Sequence, residues 1–229
     1  MKTKTLSKIK NLIIPKGQRP RKIPLGLYKG LKFNLDFTCQ TQLFLGLSEC
    51  ETHSWLKKFS KGINSAIDIG AGDGEQTLYF LAKTDAKKVY SFEPSKERLT
   101  EYIQNITLNG YGKNPRFVFI SKYVGSNNNG STITLDSIVD SIILPCVIKI
   151  DTEGGEVDIL RGAKRLLELQ RIRWLIETHS YQLESECIKI LDRARYITKI
   201  IPNAWWRTFI PEQRPTELNR WLIAYKDQI

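Results

Sequence analysis

The stretch SAIDIGAGDGEQT, residues 65–77, decides the fold predicted for this chain. It starts as an apolar strand that carries one acid, Asp68, turns through Gly70, Gly72 and Gly74, and continues as a helix. Glycines let the backbone turn sharply and approach a ligand closely. Because ligands of open α/β sheets bind beyond the carboxyl ends of the strands, the stretch predicts a ligand-binding loop at this point.

Short β-branched runs and longer amphipathic segments alternate from residue 65 onward. The runs predicted as strands cover residues 66–69, 88–92, 116–120, 147–150, 174–177, 196–201 and 221–225. The segments predicted as helices cover residues 75–83, 96–108, 156–169 and 183–194. This alternation predicts an α/β fold with a mostly parallel sheet and helices on both faces. No helix separates the last two runs, so the last strand is expected to return antiparallel at the end of the sheet.

Positive charge is concentrated at the N-terminus of a chain whose net charge is +11. Residues 1–32 contain ten Lys or Arg and no acid, whereas the rest of the chain is nearly neutral. Such a segment could contact RNA or an anionic membrane surface, or it could be a solvated leader. The predicted organisation is a basic arm (1–25), a cap (26–64) and a ligand-binding domain (65–229). The cap is expected to contain a hairpin over 26–37, with Gly30 at or near its turn, and a helix over 49–59.

The bulk composition indicates a globular protein, expected in the cytoplasm. Hydrophobic residues make up 41% of the 229 residues, and no apolar run approaches the roughly 20 residues of a membrane-spanning helix. The first residues lack the apolar core and cleavage site of a secretory signal. Four widely spaced cysteines without a Cys-x-x-Cys pair predict reduced thiols and no zinc site: Cys39, Cys50, Cys146 and Cys187.

Acids near the glycines discriminate between two nucleotide ligands. In the dinucleotide fingerprint Gly-x-Gly-x-x-Gly a pyrophosphate lies at the helix N-terminus, but here Glu75 occupies the third glycine position and would repel it. S-adenosylmethionine instead carries a sulfonium and an ammonium, which carboxylates attract. Glu93 follows the second strand, 19 residues after Gly74, at the spacing typical of acids that bind ribose hydroxyls. These residues together predict S-adenosylmethionine as the ligand.

With these residues assembled, the sequence resembles the FkbM family of S-adenosylmethionine-dependent methyltransferases, which have a Rossmann-like class I methyltransferase fold. The resemblance rests on IDIGAGDG at 67–74, FEP at 92–94, TLDSI at 134–138, IKIDTEGGE at 148–156 and IETH at 176–179. It implies a seven-stranded sheet, cofactor binding along the first two strands, and O-methylation of a hydroxyl in a sugar, glycan or small natural product. S-adenosylhomocysteine would be the second product.

The predicted cofactor-binding residues lie at or beside the carboxyl ends of four strands. They are Asp68, Gly70, Ala71, Gly72, Asp73, Gly74, Glu93, Pro94, Ser121, Lys122 and Asp151. Ser121 and Lys122 belong to this set as candidates for contacts with the edge of an adenine.

The predicted catalytic residues are His179, Asp151 and Glu153. A hydroxyl is a poor nucleophile, and His179 is the expected general base because an imidazole of ordinary pKa, near 6.5, accepts protons at neutral pH. A structural hydrogen-bonding role is the alternative for His179. Asp151 and Glu153 could also hold the amino end of the cofactor, bind magnesium or cap the next helix. No metal site is predicted, because no spaced set of ligands indicates one.

The favoured function is an O-methyltransferase for a small-molecule or glycan acceptor. The alternatives are an RNA methyltransferase that uses the basic arm, and a non-catalytic binding domain that keeps the fold. Trp205 and Trp206 beside Arg207 could stack on a sugar ring or pack over the sheet edge. His53 could line the acceptor pocket from the cap.

Overall fold

The computed structural model describes residues 17–208 and 220–226. Its strands are β1 Arg19–Lys22, β2 Lys32–Leu35, β3 Ser65–Ile69, β4 Lys88–Phe92, β5 Phe117–Ile120, β6 Tyr123–Val124, β7 Thr132–Ile133, β8 Cys146–Ile150, β9 Ile172–Thr178, β10 Ile197–Ile201 and β11 Arg220–Tyr225. Its α-helices are α1 Thr41–Phe44, α2 His53–Phe59, α3 Glu75–Lys83, α4 Lys96–Leu108, α5 Glu156–Arg161, α6 Lys164–Glu168 and α7 Tyr181–Arg193. Short 3₁₀ segments cover Leu135–Ser141 and Trp205–Thr208. None of the helices in these two ranges is long and apolar enough to cross a membrane.

Seven strands form one sheet in the order β10-β11-β9-β8-β3-β4-β5. The five strands from β9 to β5 are parallel, and β11 pairs antiparallel with both β9 and β10. The predicted α/β fold, its mostly parallel seven-stranded sheet and its antiparallel last strand are therefore confirmed. The last strand does not lie at the end of the sheet, however, because Trp221 pairs with Ile201 on one side and Glu177 on the other.

The two faces of the sheet carry different side chains, because successive residues of a strand point to opposite sides. On one face, Ala66, Val147 and Leu175 belong to a core that includes the cap, α2 and α3. On the other face, Ile67 and Ile148 pack with α5, α6 and α7. Helices cover both faces, which is why the central strands are nearly continuous apolar runs.

The N-terminal hairpin begins earlier than predicted. β1 and β2 pair antiparallel, from Arg19 opposite Leu35 to Lys22 opposite Lys32. β1 lies in the segment predicted as the basic arm, since its sequence Arg-Pro-Arg-Lys has no apolar alternation that would indicate a strand. Gly30 lies in the connection with a φ of 92°, as a turn residue should. Residues 1–16 of the predicted arm lie outside the described residues.

Two predicted helices have different bounds in the structure. The helix expected over 49–59 begins only at His53, because the residues before it form turns. The helix expected over 156–169 is divided into α5 and α6 by Gly162 and Ala163. The backbone of Gly125 packs so closely here that a Cβ at Gly162 would lie 2.0 Å from the Gly125 carbonyl oxygen. Glycine also disfavours a helix interior, so the break has a local and a tertiary cause.

Candidate active site

The glycine loop between β3 and α3 lies at the carboxyl edge of the sheet, where this class of fold binds its ligands. Gly70 has a φ of 76° and packs against the end of β8, so that a Cβ would lie 1.9 Å from the Asp151 carbonyl oxygen. The Gly72 N–H donates a hydrogen bond to Glu93 Oε2 at 2.7 Å. Gly74 is the N-cap of α3. The glycine loop thus follows the first strand of the parallel set, as the sequence predicts, and its bare backbone also contacts the ends of β4 and β8.

Glu93 extends from the end of β4 to the glycine loop. It is 5% exposed, and while Oε2 accepts the hydrogen bond from Gly72, Oε1 accepts one from the Ser95 N–H at 2.8 Å. Pro94 follows in a half-buried position. Each carboxylate oxygen can accept a further hydrogen bond, so Glu93 remains suited to bind ribose hydroxyls.

Asp68 lies buried beneath the loop. It is 1% exposed, and its Oδ2 accepts a hydrogen bond from the Thr77 hydroxyl at 2.6 Å. Thr77 Oγ1 also lies 2.9 Å from Ser91 Oγ, which accepts a hydrogen bond from the Tyr102 hydroxyl at 2.6 Å. Burial raises the pKa of Asp68 to about 6, although the Thr77 hydrogen bond and the charge of Lys149 oppose the rise. Asp68 therefore links β3 to α3 below the glycines, and its contact with a cofactor stays a prediction.

Further predicted cofactor residues lie around the loop. Asp73 Oδ2 accepts a hydrogen bond from the Gln40 side chain at 3.0 Å, which connects the glycine loop to the cap. Ser121 and Lys122 follow β5 at the same edge of the sheet, where Ser121 is exposed and Lys122 half-buried. After Lys122 the chain forms β6, which pairs in parallel with the short β7. The cofactor residues predicted from four separate segments thus meet at one edge.

A group of buried charges lies at the ends of β8 and β9. Lys149 is 1% exposed, and its ammonium lies 3.0 Å from Glu49 Oε2 and 3.4 Å from Asp151 Oδ2. Glu177 Oε2 is 3.8 Å from the same ammonium and accepts a hydrogen bond from the Trp221 indole at 3.3 Å. Burial alone would lower the pKa of Lys149, but the surrounding carboxylates outweigh it and hold the pKa above its ordinary value. The lysine is therefore charged and joins both strand ends to the cap.

His179 lies beside this group at the end of β9 and is 7% exposed. Its Nδ1 lies 2.6 Å from Oε1 of Glu156, the fully buried first residue of α5. Its Nε2 lies 3.8 Å from Asp151 Oδ1 and 3.8 Å from Glu177 Oε1. Within the described part of the chain Nε2 has no hydrogen-bond partner. One carboxylate thus orients the ring, and the second nitrogen faces two others.

Glu153 lies apart from this group of buried charges. The sequence also did not predict how closely the side chains of Asp151, Glu177 and His179 approach one another. Glu153 is exposed on the turn before α5, whereas the Asp151 side chain is 22% exposed. Asp151, Glu177 and His179 each place one potential ligand atom within 4.8 Å of the others, which suits a metal ion. The Lys149 ammonium contacts both carboxylates and neutralises part of their charge. The absence of a metal site stays a prediction.

The side chains predicted near the acceptor have different environments. His53 Nε2 lies 2.9 Å from the Ser48 carbonyl oxygen, and burial lowers the pKa of His53. Beyond β10, Trp205 is 79% exposed, whereas the Trp206 ring is half-buried 4.5 Å from the Arg207 guanidinium. β10 ends at the same edge of the sheet as β9, so Trp205 lies on the side of the predicted site.

Arg207 anchors the segment after β10 to the cap. Its guanidinium donates hydrogen bonds to Glu51 Oε1 at 2.8 Å, to Glu51 Oε2 at 2.9 Å and to the Leu47 carbonyl oxygen at 3.0 Å. Burial would raise the pKa of Glu51, but hydrogen bonds from Arg207 and the Ala204 N–H hold it at about 2. A bidentate pair of this kind fixes both partners, so Trp205 projects from an anchored segment.

Four residues of this site had no role assigned from the sequence: Glu49, Lys149, Glu156 and Glu177. Lys149 and Glu177 could have been singled out from the sequence, because each is a charged residue inside an apolar strand and a buried charge needs a partner. The roles of Glu49 and Glu156 could not have been predicted from the sequence, since these residues lie 100 and 23 positions along the chain from the side chains that they contact.

Comparison with known proteins bears on the family and the fold. Residues 129–203 match the family described as Methyltransferase FkbM domain. The structure is similar to the crystal structure of methyltransferase FkbM from Methylobacillus flagellatus KT, with a TM-score of 0.56 and 22% sequence identity. The similarity covers 71% of this chain and 44% of that chain, so this chain spans less than half of the relative's length. A comparison with curated proteins found no match.

Other solved structures share the fold at lower sequence identity. Precorrin-6y C5,15-methyltransferase from Geobacter metallireducens GS-15 matches with a TM-score of 0.52 and 12% identity, over 79% of this chain and 90% of that chain. An rRNA methylase from Streptococcus thermophilus matches with a TM-score of 0.51 and 17% identity, over 78% and 97% of the two chains. The predicted resemblance is thereby confirmed: residues 129–203 match the FkbM methyltransferase domain, and the Rossmann-like fold is similar to those of these methyltransferases.

Proposed function

We propose that this protein transfers a methyl group from S-adenosylmethionine to a hydroxyl oxygen of a sugar, glycan or small natural product. The observation that carries the proposal is the position of His179 Nε2, which is buried and without a hydrogen-bond partner in the described residues. It lies 3.8 Å from Asp151, whose backbone N–H bonds to the Ile69 carbonyl oxygen just before the glycine loop. A proton acceptor beside the donor loop is what an oxygen nucleophile needs.

The residues around the loop fit a cationic methyl donor. Carboxylates at this edge come from Asp73, Glu75, Glu93 and Asp151, a charge that attracts a sulfonium and an ammonium and opposes a pyrophosphate. A Cβ at Gly70 would fill the space between the loop and β8, so the chain keeps bare backbone there. In our proposal Glu93 binds the ribose hydroxyls and Asp151 the amino end. S-adenosylmethionine supplies a methyl group activated by the positive charge on sulfur.

The chain's own groups then act on the acceptor. His179 takes the proton of the acceptor hydroxyl at Nε2, and the electron pair of the O–H bond stays on the oxygen. The imidazolium that forms lies near Asp151 and Glu177, whose carboxylates stabilise its positive charge. Alignment of acceptor and donor supplies the remaining rate enhancement, because a held geometry removes the entropic cost of bringing two reactants together.

A neutral, ring-shaped acceptor fits this edge better than a polyanion. The Lys149 ammonium lies among the carboxylates of Glu49, Asp151 and Glu177, so it is not available to bind a phosphate. Trp205 is exposed on the same side and offers an aromatic face to a sugar ring. RNA recognition would instead call for a basic surface with stacking aromatics.

Methyl transfer from radiolabelled S-adenosylmethionine to separate pools of glycans, small polyhydroxylated compounds, lipids and RNA tests this proposal. We expect label in a glycan or small-molecule pool, and a methyl ether when the product is identified by mass spectrometry. Label in RNA alone would support the RNA methyltransferase instead. A chain that binds neither S-adenosylmethionine nor S-adenosylhomocysteine would support the non-catalytic binding domain.

Variants at the two histidines connect the activity to the site. His179→Gln is expected to lower kcat by about 100-fold or more, the usual contribution of a general base, while the Kd for S-adenosylmethionine stays within about twofold. Full activity of this variant would remove His179 as the base. His53→Gln, at the only other histidine of the chain, tests the predicted pocket role, which a raised KM would support and unchanged kinetics would contradict.

A further inference from the structure

Glu156 and His179 form a buried side-chain contact that has no role in the proposed reaction as described so far. Glu156 is fully buried at the start of α5, and its Oε1 lies 2.6 Å from His179 Nδ1. The same oxygen accepts a longer hydrogen bond, of 3.4 Å, from the Gly154 N–H. A buried carboxylate is costly unless it is hydrogen-bonded; Oε1 has these two contacts, whereas Oε2 is buried and has no hydrogen-bond partner among the described residues.

The contact sets which nitrogen of the His179 ring carries the proton. With Glu156 as a carboxylate, its oxygens only accept hydrogen bonds, so Nδ1 is the donor to Oε1. The neutral ring then has its lone pair on Nε2, the nitrogen that lies 3.8 Å from Asp151 Oδ1 and 3.8 Å from Glu177 Oε1. Without Glu156, the two acceptors on the other side would favour a proton on Nε2 instead. Glu156 thus opposes protonation of Nε2, which Asp151 and Glu177 would favour.

The second histidine of the chain provides an internal comparison. His53 Nε2 lies 2.9 Å from the Ser48 carbonyl oxygen, which can only accept. Nε2 of His53 is therefore the donor, and the lone pair of its neutral ring is on Nδ1. The chain contains only these two histidines, and their neutral forms have opposite tautomers.

We propose that Glu156 is the positioning residue of the site: it holds His179 in the Nδ1–H tautomer and so keeps Nε2 free to take the proton of the acceptor hydroxyl. The catalytic consequence rests on the proposed function, whereas the tautomer does not. A buried acid that orients a histidine through its second nitrogen is a general device for preparing the first nitrogen for chemistry.

Nitrogen NMR of the full chain with ¹⁵N-labelled histidine tests the proposal directly. The pH is raised until the ring-nitrogen shifts of both histidines stop changing, and in the neutral rings we then expect one proton on Nδ1 and one on Nε2. A His53→Gln sample assigns the signals. In Glu156→Ala the His179 proton is expected to move to Nε2, because Asp151 and Glu177 remain as acceptors. In Glu156→Gln the amide oxygen can still accept from Nδ1, so most of the ring should keep its tautomer.

Two controls distinguish positioning from a merely structural role. Asp158→Asn changes an exposed carboxyl on the same helix and should leave both tautomers unchanged. The His53 signals report whether each variant is folded, since they depend on the distant Ser48 contact. With an acceptor in hand, Glu156→Ala should lower kcat by roughly 100-fold with KM little changed, and Glu156→Gln should recover part of the loss.

The result that would overturn the proposal is a wild-type His179 whose neutral ring carries its proton on Nε2. A folded Glu156→Ala variant that keeps the Nδ1–H tautomer would overturn it as well. Failure to find any hydroxyl acceptor would contradict the proposed function and leave the tautomer result standing, so the two outcomes are distinguishable.

Discussion

Lys149 Nζ lies 3.0 Å from Glu49 Oε2, a contact that joins the buried end of β8 to the cap. Replacement of the lysine by Met should leave the carboxylates of Glu49, Asp151 and Glu177 without their shared ammonium. Because removal of one partner leaves buried charges unpaired, we expect Lys149→Met to lower the free energy of unfolding by about 3–5 kcal/mol, measured by urea denaturation.

The matched control is the exposed pair of Arg165 and Asp140, whose closest atoms are 2.6 Å apart. Arg165→Met should cost much less than Lys149→Met, because solvent screens an exposed pair. Adding Glu49→Gln to Lys149→Met should recover part of the loss. Equal effects of the buried and exposed substitutions would contradict the assigned role of Lys149.

The glycine loop should tolerate no side chain at Gly70. Gly70→Ala combines a φ of 76° with a Cβ that would lie 1.9 Å from the Asp151 carbonyl oxygen, so we expect a loss of several kcal/mol or no folded protein. Gly62 is the matched control, because its φ is 64° and nothing lies within 4 Å of the added Cβ. Gly62→Ala should show only backbone strain, about 1–2 kcal/mol. Similar melting temperatures for the two variants would refute the close packing of the loop on β8.

The difference in free energy of unfolding between the wild-type protein and Asp68→Asn should change with pH: the wild type should become less stable relative to the variant as the pH rises. Its pKa is about 6 in the folded protein against an ordinary 3.8, so the folded state binds the proton more tightly than the unfolded state. Stability relative to the variant should therefore fall between about pH 4 and pH 6 and level off above, by about 3 kcal/mol in total.

Urea denaturation of both proteins at several pH values measures this difference. Asp140→Asn is the control of opposite sign, because Arg165 lowers the pKa of Asp140. A stability difference between wild type and Asp68→Asn that does not change with pH would show that Asp68 has an ordinary pKa.

Glu93 should contribute to donor affinity through its carboxylate. Glu93→Gln keeps the size of the side chain and loses the charge, and we expect a Kd for S-adenosylmethionine about 10- to 100-fold higher, as for loss of a hydrogen bond to a charged group. The control is Glu97→Gln, an exposed acid of α4 whose Oε2 accepts from the Ser95 hydroxyl. If calorimetry gives the same Kd for both variants, Glu93 does not bind the ribose.

The parts of the fold that could be predicted are those with a local signature. Strands buried on both faces are apolar runs, so β3, β4 and β8 follow from the sequence within a residue or two. β1 has no such signature, because Arg-Pro-Arg-Lys forms a strand only through its pairing with β2. The break at Gly162 likewise depends on the approach of Gly125 from a distant segment.

The candidate site divides in the same way. Gly70, Glu93 and Asp151 could be predicted because their distances from strand ends are fixed by the chain itself. Lys149 contacts Glu49 through the packing of the cap, and His179 contacts Glu156 through the packing of α5. Local sequence patterns do not predict such packing. These tertiary contacts bring the buried charges together and orient the His179 ring.

The central claim is that the carboxylate-bordered glycine loop accepts a cationic methyl donor. Calorimetric titration of the purified chain with S-adenosylmethionine, followed by a competition titration with nicotinamide adenine dinucleotide, tests it most directly. We predict one S-adenosylmethionine site per chain that Glu93→Gln weakens and that the dinucleotide neither fills nor competes for. Binding of the dinucleotide at this loop, with no heat from S-adenosylmethionine, would contradict the claim.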